Sequence, residues 1–123
     1  MPKFKNKTRW LKSNLKRRTG VELPLDKLRS HVQEALLTPC PYCGVVLTLD
    51  NMSLDHMQSV ENGGKTIFSN LELVCARCNQ AKGSFNKEVF CELLKVAKKR
   101  GKKVLNTLLQ RLRASTLVFR GRR

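Results

Sequence analysis

Large aromatic rings are scarce in this sequence: Phe, Trp and Tyr make up 6% of its 123 residues. Such rings dominate burial in small cores, so something besides apolar packing is expected to hold the fold together. Acidic residues are scarce too, nine Asp and Glu against 25 Lys and Arg, for a net charge of +16. That imbalance predicts a polyanionic partner. Long apolar runs are missing; the longest, such as residues 45–47, extend over three or four residues, whereas a bilayer span needs about 20. An integral membrane protein is excluded on this reading. The first twenty residues carry Lys or Arg at eight positions and no apolar stretch, which argues against a secretory leader and predicts a cytoplasmic protein. At this length one compact domain with extensions is expected, and no second core.

The charge is unevenly placed. Residues 1–21 hold eight basic and no acidic residues, and residues 98–123 hold ten basic and none acidic. The stretch 22–97 holds seven basic against nine acidic residues, so the whole positive excess lies at the two ends. The ends are expected to grip a phosphate backbone while the centre does the chemistry. Lys12, Lys16, Arg17 and Arg18 are the candidate contacts in the first segment. That segment reads either as a solvated basic tail or as an ordered one in which Trp10, Leu11 and Leu15 pack.

Periodicity predicts three helices. Leu25, Leu28, Val32, Ala35 and Leu36 recur at helical spacing after Pro24, which suits a first turn. This helix should end before Thr38 and Pro39, with His31 beside its apolar face. Over residues 84–100, Val89, Phe90, Leu93, Leu94 and Ala97 form one stripe, with Ser84 as cap and Gly101 as stop. Cys91 lies on that stripe and is expected to be a buried small apolar residue. Residues 102–114 repeat the pattern with Val104, Leu105, Leu108, Leu109 and Leu112, and a basic frayed tail is expected over residues 119–123.

Four of the five cysteines form two CxxC pairs, Cys40/Cys43 and Cys75/Cys78, separated by residues 44–74. In a reducing compartment such a pair of pairs reads as a four-thiolate zinc site, each CxxC turn presenting two sulfurs to one ion. A redox CxxC needs only one pair, next to a βαβ pattern that is absent here. A two-Cys, two-His finger through His56 fails because residues 60–62 are Val, Glu and Asn. His56 is therefore free for other work. Zinc in small domains supplies apparent binding energies of roughly 10–16 kcal/mol, enough to offset an aromatic-poor core.

Between the pairs lie Met52, Ser53, Leu54, Asp55, His56 and Met57, a Gly-rich loop containing Asn62, Gly63 and Gly64, and residues 67–74. Two short extended stretches joined by this loop predict a hairpin, followed by a helical turn near Cys78 that carries Asn79 and Lys82. Adjacent strand residues point to opposite faces, so Asp55 and His56 converge only if the strand end bends.

The ordered set CxxC, Asp-His, Gly-Gly, Asn-Leu, CxxC-Asn and Lys-Gly, running from Cys40 to Gly83, resembles the HNH nuclease family in its zinc-bound ββα-metal form. About a third of the chain carries this resemblance. It implies an α+β fold, a small zinc-stapled ββα-metal core flanked by α-helices. The corresponding division is a basic N-terminal arm at 1–22, a nuclease core at 23–100, and a basic C-terminal helix and tail at 101–123. The resemblance further implies a divalent-metal-dependent DNA endonuclease in which Asp55 and Asn79 hold the catalytic cation and Asn70 braces the loop that orients the base. An amide oxygen with a carboxylate favours Mg2+ or Mn2+.

Chemistry points the same way. Phosphodiester hydrolysis needs a base for water, a cation for the charge on phosphorus and the departing oxygen, and donors for flanking phosphates. His56, with a reference pKa near 6.5, is the candidate base. Arg77 and Lys82 are candidate phosphate contacts. Rival readings are a non-catalytic zinc module that binds nucleic acid and a phage accessory factor acting with genome-packaging proteins; oligomeric state is left open.

Overall fold

The computed structural model describes the backbone of residues 2–121 and the side chains of residues 2–117. The described residues form an α+β fold with five helices and one two-stranded antiparallel sheet. In chain order these are α1 (Pro2–Thr19), α2 (Leu25–Ala35), β1 (Met52–His56), β2 (Leu71–Cys75), α3 (Ala76–Lys82), α4 (Lys87–Lys99) and α5 (Lys102–Gly121).

The basic N-terminal segment is ordered. Leu11 and Leu15, one turn apart, are buried and belong to the main core, while Trp10 stays 53% exposed. Of the two readings left open the ordered one holds, with Leu11 and Leu15 packed and Trp10 largely exposed. Lys16, Arg17 and Arg18 occupy the last turn of α1, where cations complement the exposed carbonyls. Arg29 on α2 donates from Nε to the buried Thr8 hydroxyl at 3.1 Å, tying α2 to α1.

Helix α2 follows Pro24 and ends before Thr38 as its spacing predicts, burying Leu28 and Val32 completely. His31 stacks on Phe68 with ring centroids 4.6 Å apart. Helix α4 starts later than residue 84: its cap position is Asn86, not Ser84. Phe90, Leu94 and Ala97 are its buried face, whereas Val89 is about half exposed and Cys91 is exposed. The expected burial of Cys91 is therefore corrected. One residue past Phe90 is a rotation of about 100°, enough to leave a side chain off the covered face. Helix α5 extends past residue 114 to Gly121, so residues 119–121 continue the helix where fraying was expected; residues 122 and 123 lie outside the described residues.

The hairpin pairs Asp55 with Glu72 and His56 with Leu71. Helix α3 begins directly where β2 ends, because Cys75 is both the last strand residue and the helix cap. It lies between the hairpin and α5. The core gathers Leu28, Val32, Leu47, Met52, Val74 and Phe90, each essentially inaccessible. Burying a side chain of this size contributes roughly 1.5–3 kcal/mol. Among the described residues no helix is long and apolar enough to cross a membrane.

Candidate active site

The four cysteine sulfurs of residues 40, 43, 75 and 78 lie within 4.8 Å of one another, with Cys43 Sγ and Cys75 Sγ 3.6 Å apart. Four sulfurs about 2.3 Å from one zinc ion form a tetrahedron with edges of about 3.8 Å. The donor set and spacing therefore fit structural zinc. Two elements deliver the ligands. A turn closed by Gly44 N–H donating to Cys40 O at 2.9 Å carries the first pair, and the start of α3 carries the second. Backbone N–H groups of Cys75 and Cys78 donate to the sulfurs of Cys40 and Cys75, each at 3.4 Å. Such donors help thiolate charge persist in a buried setting.

The end of β1 lies against α3, with His56 paired opposite Leu71 while the start of the strand, Met52, pairs opposite Cys75. Asp55 and His56 are both buried, at 4% and 8% exposure. Lys82, expected at a phosphate, is buried instead: its ammonium donates to Asp55 Oδ1 at 3.3 Å and to the His56 carbonyl at 2.8 Å. One turn earlier on α3, Asn79 Nδ2 donates to Ser53 Oγ at 2.6 Å. Asn79 and Lys82, three apart on a helix, thus meet Ser53 and Asp55, two apart on a strand. With its nitrogen committed, the Asn79 amide has its oxygen to offer a cation. Asp55 Oδ2 is buried with no hydrogen-bond partner among the described residues. A carboxylate oxygen left so and an amide oxygen are hard ligands that fit Mg2+ or Mn2+.

His56 Nε2 lies 2.9 Å from Thr66 Oγ1. Asn70 braces the intervening loop. Its Oδ1 accepts from Gln58 N–H at 2.9 Å, and its Nδ2 donates to the carbonyls of Gln58 and Lys65 at 3.0 and 2.9 Å. Asn62, which alone reads as a loop residue, is anchored by donating to Ser59 Oγ at 2.7 Å. The glycines beside it are required: Gly63 has φ 84°, and a Cβ on Gly64 would stand 1.8 Å from the Gln58 carbonyl oxygen.

Burial dominates the electrostatics. It raises the Asp55 carboxyl to about 6, against the opposing pull of Lys82. It lowers His56 below its ordinary 6.5, with Arg18 and Lys82 adding to the shift. An imidazole depressed this way is neutral, and a proton acceptor, at physiological pH.

A cleft of about 490 Å³ opens over this region, lined by Arg18, Asp55, His56, Asn79 and Lys82 and by Thr116 of α5. The other expected residues lie outside it. Asn70 acts on the loop, Arg77 is exposed on α3, and Arg17 donates to Asn14 Oδ1. Lys12 and Lys16 reach the Glu22 carboxylate at 3.5 and 3.4 Å, so one acidic residue partly offsets both. Thr66, Ser53 and Asn86 were not singled out from the sequence. Isolated hydroxyl and amide residues carry no spacing signal, although Thr66 lies just past the Gly-Gly pair.

A hairpin leading directly into a short helix, pinned by four cysteines, defines a zinc-type ββα module. Residues 40–85 match the family model for HNH endonuclease. Over 46 residues the chain is 44% identical to the CRISPR-associated endonuclease Cas9 of Corynebacterium diphtheriae, a stretch that is 37% of this chain and 4% of that protein. The chain thus spans a small fraction of the length of the curated relative it matches. The module at residues 40–85 is of the HNH endonuclease type.

Proposed function

We propose that the chain is a DNA endonuclease that hydrolyses a backbone phosphodiester. The single observation that carries this reading is the meeting of Asp55, His56 and Asn79 at one cleft. When His56 Nε2–H is donated to Thr66, the lone pair resides on Nδ1. Nδ1 takes the proton of the attacking water as the new P–O bond forms. Asp55 and Asn79 are the residues that hold the catalytic Mg2+ or Mn2+. That cation, when bound, offsets charge on the phosphate and on the departing 3′ oxygen. Arg18, on the rim, meets a neighbouring phosphate, and the basic surfaces of α1 and of the α4–α5 turn supply backbone grip without base readout. Four ligating thiols suit a reducing compartment.

The test is cleavage of supercoiled plasmid by zinc-loaded protein, with a panel of divalent cations added after removal of loosely bound metal. Parent protein nicks or linearises the plasmid with Mg2+ or Mn2+. His56→Ala retains zinc and DNA binding but loses cleavage. Plasmid cut by purified His56→Ala at the parental rate refutes the mechanism. DNA binding without cleavage by the parent, under every cation, favours a zinc module that only binds.

A further inference from the structure

The zinc turn carries a buried phenol that the proposed chemistry leaves unused. Tyr42, between Cys40 and Cys43, is 2% exposed and packs edge-to-face on Phe90, with ring centroids 4.9 Å apart. Its carbonyl accepts from Lys98 Nζ at 3.3 Å. Ring and backbone are both held, so the hydroxyl has a defined place. That hydroxyl is buried and lacks a partner within hydrogen-bond geometry among the described residues, as do Asp55 Oδ2 and Glu72 Oε1.

The three atoms share one neighbourhood. Asp55 and Glu72 are directly opposite in the hairpin, so their side chains leave the sheet on the same face. Each acid has its other oxygen tied to a lysine: Asp55 Oδ1 to Lys82 at 3.3 Å and Glu72 Oε2 to Lys87 at 2.7 Å. Lys87 Nζ also lies 5.9 Å from the Tyr42 ring centroid. Burial, foremost, and then the charges of Asp55 and Glu72 hold the Tyr42 proton in place, and the phenol favours the ionised Asp55 in return. Here one buried donor without an acceptor faces buried acceptors without a donor, an arrangement that native interiors rarely leave unpaired.

We infer that Tyr42 is a positioning residue for Asp55: its Oη–H donates to the Asp55 carboxylate and orients that group toward the catalytic cation. This rests on the nuclease reading, in which Asp55 is a metal ligand. A carboxylate has about four lone-pair sites, so Lys82, Tyr42 and a cation can share it. The phenol is presented by a turn whose shape the four thiolates set. Tyr42 therefore connects the structural zinc site to the catalytic carboxylate.

The experiment uses the full zinc-loaded chain and Mn2+ alone as the probe, with affinity read by electron paramagnetic resonance and zinc content measured in parallel. Parent, Tyr42→Phe and Asp55→Asn are compared. Removing an outer hydrogen bond to a ligating group typically costs 10-fold or more in metal affinity, so Tyr42→Phe is expected to bind Mn2+ about tenfold more weakly with zinc content unchanged. Plasmid cleavage should then need about tenfold more Mn2+ for half its maximal rate, and recover at saturation. Parental Mn2+ affinity in Tyr42→Phe overturns the role of Tyr42 alone. Loss of zinc from Tyr42→Phe overturns it too, by showing a purely structural role. Equal Mn2+ affinity in parent and Asp55→Asn overturns the metal assignment itself, and the Tyr42 role with it.

Discussion

The ammonium of Lys82 and the carboxylate of Asp55 form an ion pair at 3.3 Å in which both side chains are almost fully buried. The same ammonium donates to the His56 carbonyl, so one side chain from α3 ties down two consecutive residues at the end of β1. The pair joins the helix of the module to its first strand, where the proposed base and metal ligand stand side by side.

Removing one partner of a buried pair strands the other charge, at a cost of about 3–5 kcal/mol. Lys82→Met is expected to lose stability of this order in urea unfolding of the zinc-loaded protein. Adding Asp55→Asn to it should restore much of the loss, because the stranded charge is then gone. Additive losses in the double variant would show that the two side chains do not depend on each other.

Chelation should unfold the domain. Few aromatics are buried here, and the cysteine cluster joins the 40–44 turn to the junction of β2 and α3. With roughly 10–16 kcal/mol of apparent binding energy at stake, circular dichroism is expected to show loss of helix under a strong chelator and recovery on adding Zn2+. Cys78→Ser, which alters a fully buried ligand, should mimic the chelator. Cys91→Ser, at an exposed position, should leave zinc content and stability unchanged.

In the proposed mechanism Thr66 Oγ1 accepts from His56 Nε2–H across their 2.9 Å contact. Replacing it with Val removes the hydroxyl while keeping the β-branched shape. One hydrogen bond of about 1 kcal/mol corresponds to roughly fivefold in rate, so Thr66→Val is expected to lower kcat by about that factor and Thr66→Ser to retain it. Single-turnover cleavage at saturating metal measures this, and equal rates in all three proteins would remove Thr66 from the mechanism.

Burial holds the folded His56 below 6.5, so between the folded and unfolded values the unfolded chain binds a proton that the folded ring refuses. Stability from this group is complete above 6.5 and declines as pH falls below it. Asp55 has the opposite sign. Its folded carboxyl, raised from 3.8 to about 6, binds a proton more readily than the unfolded one, so its ionisation weighs on stability above 6 and is relieved as pH falls toward 3.8. An NMR titration of zinc-loaded protein should place the His56 ring midpoint below 6.5. A His56 midpoint above 6.5 would contradict the burial argument.

Local patterns were readable wherever one spacing has one physical meaning. The paired cysteines, the stripes of α2, α4 and α5, and the Asp-His step before a Gly-Gly loop all belong to this kind. Less readable were features that depend on what another element covers. Trp10 and Cys91 look like packing residues in a helical pattern, yet both are exposed. Ser84 is a good cap by type, but Asn86 occupies the cap position, and its Oδ1 accepts from the Ser59 N–H at 3.0 Å. Lys82 reads as a phosphate contact until β1 places a carboxylate and a carbonyl within reach of its ammonium.

By itself the sequence determined the set of four cysteines that could hold a metal, the order of hairpin and helix, the excess of positive charge at the two ends, and the residue types on which the proposed hydrolysis rests. Those depend on composition and short spacings, which survive in any conformation. Tertiary structure alone decided that the basic first segment is a helix with Leu11 and Leu15 in the core, that Lys82 lies under Asp55 and His56, and that Tyr42 is buried edge-to-face on Phe90. These outcomes join residues distant in the chain, and burial, which sets both the cost of a charge and the need for a partner, exists only once the elements have packed.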